Sequence, residues 1–397
     1  MLNYRHKLGI ILVVCFLFVG CDVESQPVNE DGYGWPGDTW PTSTPEAEGI
    51  DPAVIDSIVN DINSGEYGLI DAFMVIRHGI VVADHRFEQD YESIMVQYDT
   101  TDYMYNYDHV NWHPYLKGTM LHSLQSVSKS VTSAALGIAI DDGLIDGPRA
   151  PVLPFFDDYE FEQTDERKQA LTLEDFLTMR AGIKWNTAGG YTDSTHSTII
   201  MENSDEWIQY VLDQPMDAEP GTRYQYNDGA SVLIGKIARV ATGKRMDEWA
   251  RERLFEPIGI DEFYWKITPD GEADTEGGLY LKTEDLARFG YLFLRNGVWN
   301  GEQIISEEWV KASTSPVVAQ VGPQAQVGYG YQWWIPVQED GRAIVFAGNG
   351  YGGQFVMVAP DYDIVVIFNG WRIHGEANKS SYRVLQDRIL PASSVDD

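Results

Sequence analysis

Cysteine is nearly absent from this sequence. The 397 residues hold two, Cys15 and Cys21, both close to the N-terminus. A disulfide-stapled scaffold, thiol catalysis and cysteine zinc centres are thereby excluded. Positive charge is scarce as well. Lys and Arg total 28 against 61 Asp and Glu, a net charge of −33. Nucleic-acid binding needs a basic footprint, so that class is excluded too. The acidic residues are spread along the chain and keep the surface soluble. No internal repeat is visible. The one long apolar run, Leu8 to Val19, is short for a bilayer span.

That run has a basic start, Arg5-His6-Lys7, and is followed by Gly20-Cys21. It reads as the apolar region of a signal peptide. The ending FVGC resembles a bacterial lipobox. We therefore expect residues 1–20 to be removed and Cys21 to carry lipid, anchoring an exported protein in the bacterial cell envelope, periplasmic or on the outer surface. Residues 21–45, rich in Pro, Gly, Asp, Glu and Thr, read as a flexible tether.

The remainder is 46–391. A chain that is 44% hydrophobic and 12% aromatic has ample material for a large core. Asp51-Pro52 opens a helix with Val54, Ile55, Ile58, Val59 and Ile62 on one face. Ala72–Arg77 and Ile80–Arg86 read as a hairpin turning at His78-Gly79. Residues 90–120 show no period and read as a long loop. The region from about 120 to 315 is mostly helical, with helices expected at Leu173–Met179, Asp205–Leu212, Ala230–Ala241 and Glu284–Asn296. Three strands follow, Ala343–Ala347, Gln354–Ala359 and Ile364–Phe368, and a closing helix spans about 376–390. The expected fold class is α/β in the α+β sense. One antiparallel sheet is drawn from both chain ends (46–90 and 320–391), with terminal helices on one face and the helical region on the other.

The stretch HSLQSVSKSVTSAALGIAIDDG, 122–143, has five serines in its first twelve positions. Only Ser126 has a lysine three residues on, Lys129, nearly one helical turn away on the same face. Val127, Val131, Ala134, Ala135, Leu136, Ile138 and Ile140 make the rest a buried helix that stops near Gly143. A serine at such a helix start lies among unpaired N–H groups and the positive end of the helix dipole. A serine-rich N-cap on a core helix would look the same, so this motif alone leaves both readings open.

Other segments separate them. SVSK, 126–129, then PGTRYQYND, 220–228, with Tyr226, then FAGNGYGGQFVMVAPDYDIVVIFNG, 346–370, follow the order of motifs in the serine β-lactamase and penicillin-binding-protein-like hydrolases, which the sequence resembles over roughly 50–390. LEDFLTMRAGIKW, GGLYLKTEDLARFGYLFLRNGVWNG and YGYQWW are similar to that family as well. The nearest branches are class C-like esterases and the 6-aminohexanoate-dimer-hydrolase-like amide hydrolases. The resemblance implies the serine β-lactamase-like fold, an acyl-enzyme on Ser126, and Lys129 as tuner of proton transfer. It also implies an oxyanion hole from the Ser126 N–H and one late-strand N–H. Tyr226 is the expected general base, its phenol drawn toward ionisation by the neighbouring ammonium.

Two features depart from the family pattern. Its Tyr-x-Asn is Tyr226-Asn227-Asp228 here, so a carboxylate faces Lys129 and Asn227 is a candidate for holding a substrate amide. The late strand has no Lys- or His-Thr-Gly. Its place is taken by Gly348-Asn349-Gly350-Tyr351-Gly352-Gly353, of which Asn349, Gly350, Gly352 and Gly353 are candidate substrate or oxyanion contacts. The family's β-lactamases and carboxypeptidases hold a substrate carboxylate with that cation and hydroxyl. Its absence favours carboxylic esters or small amides over β-lactams or D-alanyl-D-alanine peptides. A non-catalytic binding or sensor protein on the same scaffold is a third reading, disfavoured by the joint presence of Ser126, Lys129 and Tyr226. His109 and His113 are read as no metal site, His122 as a structural residue at the helix start, and Gly277-Gly278 as a turn near the site. No cofactor or metal is expected. The expected partners are a small ester or amide substrate and a membrane reached through the N-terminal lipid alone.

Overall fold

A computed structural model describes residues 34–87, 89–90, 119–322, 326–338, 341–371 and 377–394. Cys15, Cys21, the signal segment, His109, His113 and nearly all of the 90–120 loop lie outside the described residues.

The first helix, α1, is Pro52–Asn63. Asp51 caps it by accepting from the Ala53 N–H at 2.9 Å, and Ile55, Ile58 and Ile62 form its buried face. Strands β1 (Ile70–Arg77) and β2 (Ile80–Arg86) form the expected hairpin. His78 and Gly79 both have positive φ, 54° and 76°, which matches the turn to the right-handed strand twist. β1 is buried along its whole length because both of its faces are covered. Phe73 and Val75 join Ile55, Ile58, Leu385 and Ile389, while Met74 and Ile76 join Val131, Leu286 and Phe289 on the other side. Successive side chains of a strand point to opposite faces, so one strand seeds two cores.

The strand β3 (His122–Ser123) and helix α2 (Val127–Asp141) follow. The helical region continues with α3 (Leu173–Leu177), α4 (Ser197–Glu202), α5 (Trp207–Asp213) and α6 (Asp228–Thr242). Strands β4 (Tyr264–Trp265) and β5 (Leu279–Leu281) then form a three-stranded sheet in the order β3-β5-β4. Helix α7 (Thr283–Leu294) is followed by the small ribbon β6 (Val298–Trp299) and β7 (Glu302–Gln303). The chain then completes the large sheet with β8 (Val327–Tyr329), β9 (Trp334–Pro336), β10 (Phe346–Gly350), β11 (Gln354–Ala359) and β12 (Ile364–Gly370). The order is β2-β1-β12-β11-β10-β9-β8. Antiparallel pairing of β1 with β12 joins the two ends of the chain, as expected from the sequence.

Three expectations need correction. Residues 34–45 are packed against the domain. Trp35 meets Tyr291 and Trp299 edge-on at 5.3 and 5.5 Å, Trp40 meets Tyr291 at 5.7 Å, and Pro41 O accepts from the Val81 N–H at 2.8 Å. Two tryptophans in a Pro/Gly-rich segment supply the apolar area that orders it. The closing helix is a run of short 3₁₀ and π turns over 381–392, whose Val384, Leu385, Ile389 and Leu390 cover the sheet. The sheet also extends two strands further than expected, through β8 and β9.

Candidate active site

Each serine of the 122–133 stretch has a distinct place. Ser123 is buried in β3. Ser128 Oγ accepts from the Leu279 N–H at 3.1 Å, fastening α2 to β5. Ser130 Oγ donates to Gln332 O at 2.7 Å. Ser133 is fully buried. From Leu121 to Ala139, Ser126 alone is not buried. It stands at the N-cap of α2 but makes no capping hydrogen bond with its side chain. Gln125 just before it adopts φ 49°, a left-handed conformation that costs energy in a non-glycine residue and clusters at functional sites.

Tyr226 reaches Ser126 from the segment leading into α6. That segment is clamped on both sides of the tyrosine by Met179, itself at φ 57°. Met179 O accepts from the Gln225 N–H at 2.8 Å and Met179 Sδ from the Asn227 N–H at 3.3 Å. The Tyr226 ring stacks on Trp334 at 5.8 Å, and Lys129 Nζ lies 5.1 Å from its centroid. Ser126 and Lys129 both act on its hydroxyl and draw its pKa down. The sequence-predicted trio is therefore one cluster.

Lys129 is 1% exposed. Its Nζ donates to Ser126 Oγ at 3.1 Å and Glu276 O at 2.5 Å, and it lies 2.8 Å from Asp228 Oδ1 and 3.3 Å from Glu276 Oε2. Burial opposes its charge, yet Asp228, Tyr226 and Glu276 together hold the ammonium pKa well above the ordinary value. Burial also opposes the Asp228 charge. Lys129 and the 2.5 Å hydrogen bond from Thr198 Oγ1 overcome it and lower the Asp228 pKa. Burial and the Asp228 charge raise the Glu276 pKa well above the usual carboxylate range. Tyr226 corrects an expectation. Lys129 does pull its pKa down, but burial outweighs that pull and Asp228 adds to the rise. The net shift is upward, so Tyr226 rests as a neutral phenol.

Strand β10 supplies the opposite wall. Gly350 is required there by close approach, since a Cβ would lie 2.3 Å from Leu124 O. Gly348 faces Val127 and Ser130 of α2. By strand alternation the Asn349 side chain shares the face of Ala347, which belongs to the core under α1. Asn349 is thus turned away from Ser126, contrary to its candidacy. Gly352 and Gly353, at φ 85° and 101°, make the turn into β11 beside Gly370. Asn227 is buried, and its Oδ1 caps α6 by accepting from the Ala230 N–H at 3.0 Å, so capping explains its presence. Gly278 packs against Asp274 and Lys266, directly behind the site. His122 lies in β3 rather than at a helix start. It is buried, with Nε2 2.7 Å from Asp71 Oδ2 and Nδ1 2.9 Å from Ser123 O, and ties β1 to the strand before Ser126.

Several contributors were not foreseen. Tyr191 OH donates to Asp228 Oδ2 at 3.3 Å, and its ring meets Tyr351 edge-on at 5.8 Å and His196 at 4.8 Å. The pair of tyrosines links the 186–196 loop to the β10–β11 turn. Glu276 touches Lys129 directly, yet in sequence it is one more acid before Gly277-Gly278. Behind it, carboxylate oxygens of Glu202, Asp274 and Glu276 gather within 4.8 Å of one another. Lys266 Nζ stands 3.5 Å from Glu202 and 3.6 Å from Asp274 and supplies positive charge to that group.

The family model described as Beta-lactamase matches residues 71–385. The chain is 27% identical over 267 residues to the 6-aminohexanoate-dimer hydrolase of Paenarthrobacter ureafaciens, an alignment covering 62% of this chain and 65% of that enzyme. It is 23% identical over 159 residues to the lovastatin esterase of Penicillium rubens, covering 36% of this chain and 40% of that protein. The fold matches the octameric penicillin-binding protein homologue from Pyrococcus abyssi with a TM-score of 0.58 and 18% identity, over 85% of this chain and 79% of that one. With Ser126, Lys129 and Tyr226 assembled on that fold, the chain belongs to the β-lactamase family and has the serine β-lactamase fold.

Proposed function

We propose that this protein is an exported serine hydrolase that cleaves carboxylic esters or small amides through an acyl-enzyme on Ser126. The observation that carries the proposal is the partly exposed Ser126, whose hydroxyl accepts from Lys129 Nζ at 3.1 Å and acts on the pKa of Tyr226 beside it. A serine hydroxyl attacks a carbonyl only if its proton has a destination. Lys129, held as an ammonium, cannot receive it. The Tyr226 oxygen can, once ionised. Ser126 Oγ then bonds to the carbonyl carbon while its proton passes to the Tyr226 phenolate. The oxyanion faces the N-terminus of α2 and the backbone of β10, where one well-placed N–H donor contributes about 3 kcal/mol. Collapse returns the proton from Tyr226 to the leaving alcohol or amine. Water releases the acyl group by the same route in reverse.

Tyr191 and Tyr351 give the site an aromatic rim, and β10 carries no Lys- or His-Thr-Gly to grip a carboxylate. Both suit an ester or amide without an anionic anchor, and the similarity to a 6-aminohexanoate-dimer hydrolase and a lovastatin esterase agrees. A fluorophosphonate probe, followed by mass mapping, should label the peptide containing Ser126. Labelled penicillin should react far more slowly. Rapid, stable penicilloylation would favour a β-lactamase or carboxypeptidase instead, and no label from either probe would favour a binding protein.

Export rests on the N-terminal sequence. Wild type should fractionate with membranes and Cys21→Ala should not. Equal release of both into the soluble fraction would end the lipid-anchor reading.

A further inference from the structure

Asp228 is held from two sides. Lys129 Nζ lies 2.8 Å from Oδ1, and on the other oxygen Thr198 Oγ1 donates at 2.5 Å and Tyr191 OH at 3.3 Å. His196 touches both of those donors. It is 3% exposed and stands at the N-cap of α4, where its Nδ1 accepts from the Thr198 N–H at 3.2 Å. Its ring also meets the Tyr191 ring at 4.8 Å. We infer that His196 is a positioning residue for the site: only as a neutral ring does it hold Thr198 and Tyr191 against Asp228, and its protonation in acid undoes that hold and lowers turnover.

A backbone N–H can only donate, so Nδ1 must offer its lone pair and the ring proton sits on Nε2. A second proton would go to Nδ1 and set two N–H donors against each other. The cap is then lost, and Thr198 loses its fixed place opposite Asp228. The disturbance reaches the nucleophile through Lys129, which is paired with Asp228 and donates to Ser126 Oγ. Asp193 and Tyr191 on the same loop and Asp228 on α6 face the ring. Tyr210 on α5, and Lys129 and Tyr226 beyond Asp228, stand further out. Burial of the ring opposes its charge and outweighs the attraction of Asp228 and Asp193, so the His196 pKa lies below its ordinary value. The neutral ring therefore prevails at neutral pH, and the held arrangement is lost as pH falls through the lowered pKa.

This inference rests on the proposed role of Ser126, but its test separates the two. ¹⁵N NMR of protein labelled with ¹⁵N-histidine reads the ring without turnover. The His196 signals are those missing from His196→Asn and His196→Ala, and if one variant does not fold the other identifies them. At neutral pH they should show a bare Nδ1 and a protonated Nε2. The second proton should arrive only below the ordinary histidine value of about 6.5, and the Thr198 amide signal should shift in the same titration. His196→Asn keeps a good capping acceptor and does not titrate. The Tyr226 dependence is common to both proteins and cancels in the ratio of wild-type to His196→Asn kcat on an ester. That ratio should be flat above the His196 pKa and fall about tenfold per pH unit below it. His196→Ala lacks the cap and should be slower than His196→Asn throughout, without the acid loss. A ring protonated on Nδ1 at neutral pH, a Thr198 amide blind to the titration, or a ratio that stays flat through it overturns the inference. A wild type inactive on every ester counts against the proposed function alone, and the ring and amide titrations then decide the inference.

Discussion

Ser126→Ala is expected to lower kcat on p-nitrophenyl esters by about five to six orders of magnitude, the loss typical of deleting a nucleophile from a machinery that acts as a unit. No acyl-enzyme should be detectable by mass spectrometry. The fold should survive. Losing a helix N-cap side chain usually costs about 1 kcal/mol, and Ser126 makes no capping hydrogen bond to lose. Lys129 retains Asp228 Oδ1 and Glu276 O as acceptors. Thermal unfolding should therefore shift little. A folded Ser126→Ala protein with wild-type turnover would show that another group attacks the carbonyl, and the neighbouring serines are poor substitutes. Ser128 and Ser130 are buried and engaged with Leu279 and Gln332.

Much of this arrangement is legible in one dimension because the determinants are local. The Ile55, Ile58, Ile62 face of α1 and the alternating faces of β1 follow from periods of 3.6 and 2. The spacing of Ser126 and Lys129 follows from one helical turn. Errors occur where tertiary packing overrides local composition. Residues 34–45 read as a tether because Pro and Gly dominate there, yet Trp35 and Trp40 find Tyr291 more than 240 residues away in sequence. The 381–392 segment has a helical apolar pattern but winds irregularly, with Pro391 lacking an N–H near its end.

The site divides along the same line. Ser126, Lys129 and Tyr226 carry motifs. Their charge states do not, because burial is a property of the assembled domain. Tyr226 is the instructive case. Sequence places a cation beside it and predicts a lowered pKa. The fold partly buries it among Trp334 and Met179 and puts Asp228 nearby, which reverses the sign. Glu276 and Tyr191 have no signal of their own, since each acquires its role from a partner 147 and 37 positions away. Asn349 illustrates the opposite limit. Without strand register its face cannot be assigned, and a shift of one residue inverts it.

The second large effect concerns Tyr226. Tyr226→Phe should reduce kcat by about 10² to 10⁴-fold, the usual range for removing a general acid–base group. KM should change little, because the ring keeps its stack on Trp334 and its place beside Lys129. The sign of the pH dependence follows from the raised pKa. A phenol whose pKa lies above its ordinary value of about 10 is almost wholly protonated at neutral pH, and its phenolate fraction grows tenfold per pH unit below that pKa. Wild-type kcat should therefore climb with alkaline pH rather than level off near neutrality, and Tyr226→Phe should lack the climb. Lys129 is the attraction that holds the Tyr226 pKa down. Lys129→Ala should accordingly move the limb to still higher pH. It should also destabilise the fold by about 3–5 kcal/mol, because Asp228 is left buried without its counter-ion. The profile must thus be measured well below the variant's unfolding temperature. An unchanged limb in folded Lys129→Ala would make that lysine structural. A fully active Tyr226→Phe would transfer the base role to another group, with Asp228 at 2.8 Å from Lys129 Nζ the nearest ionised carboxylate.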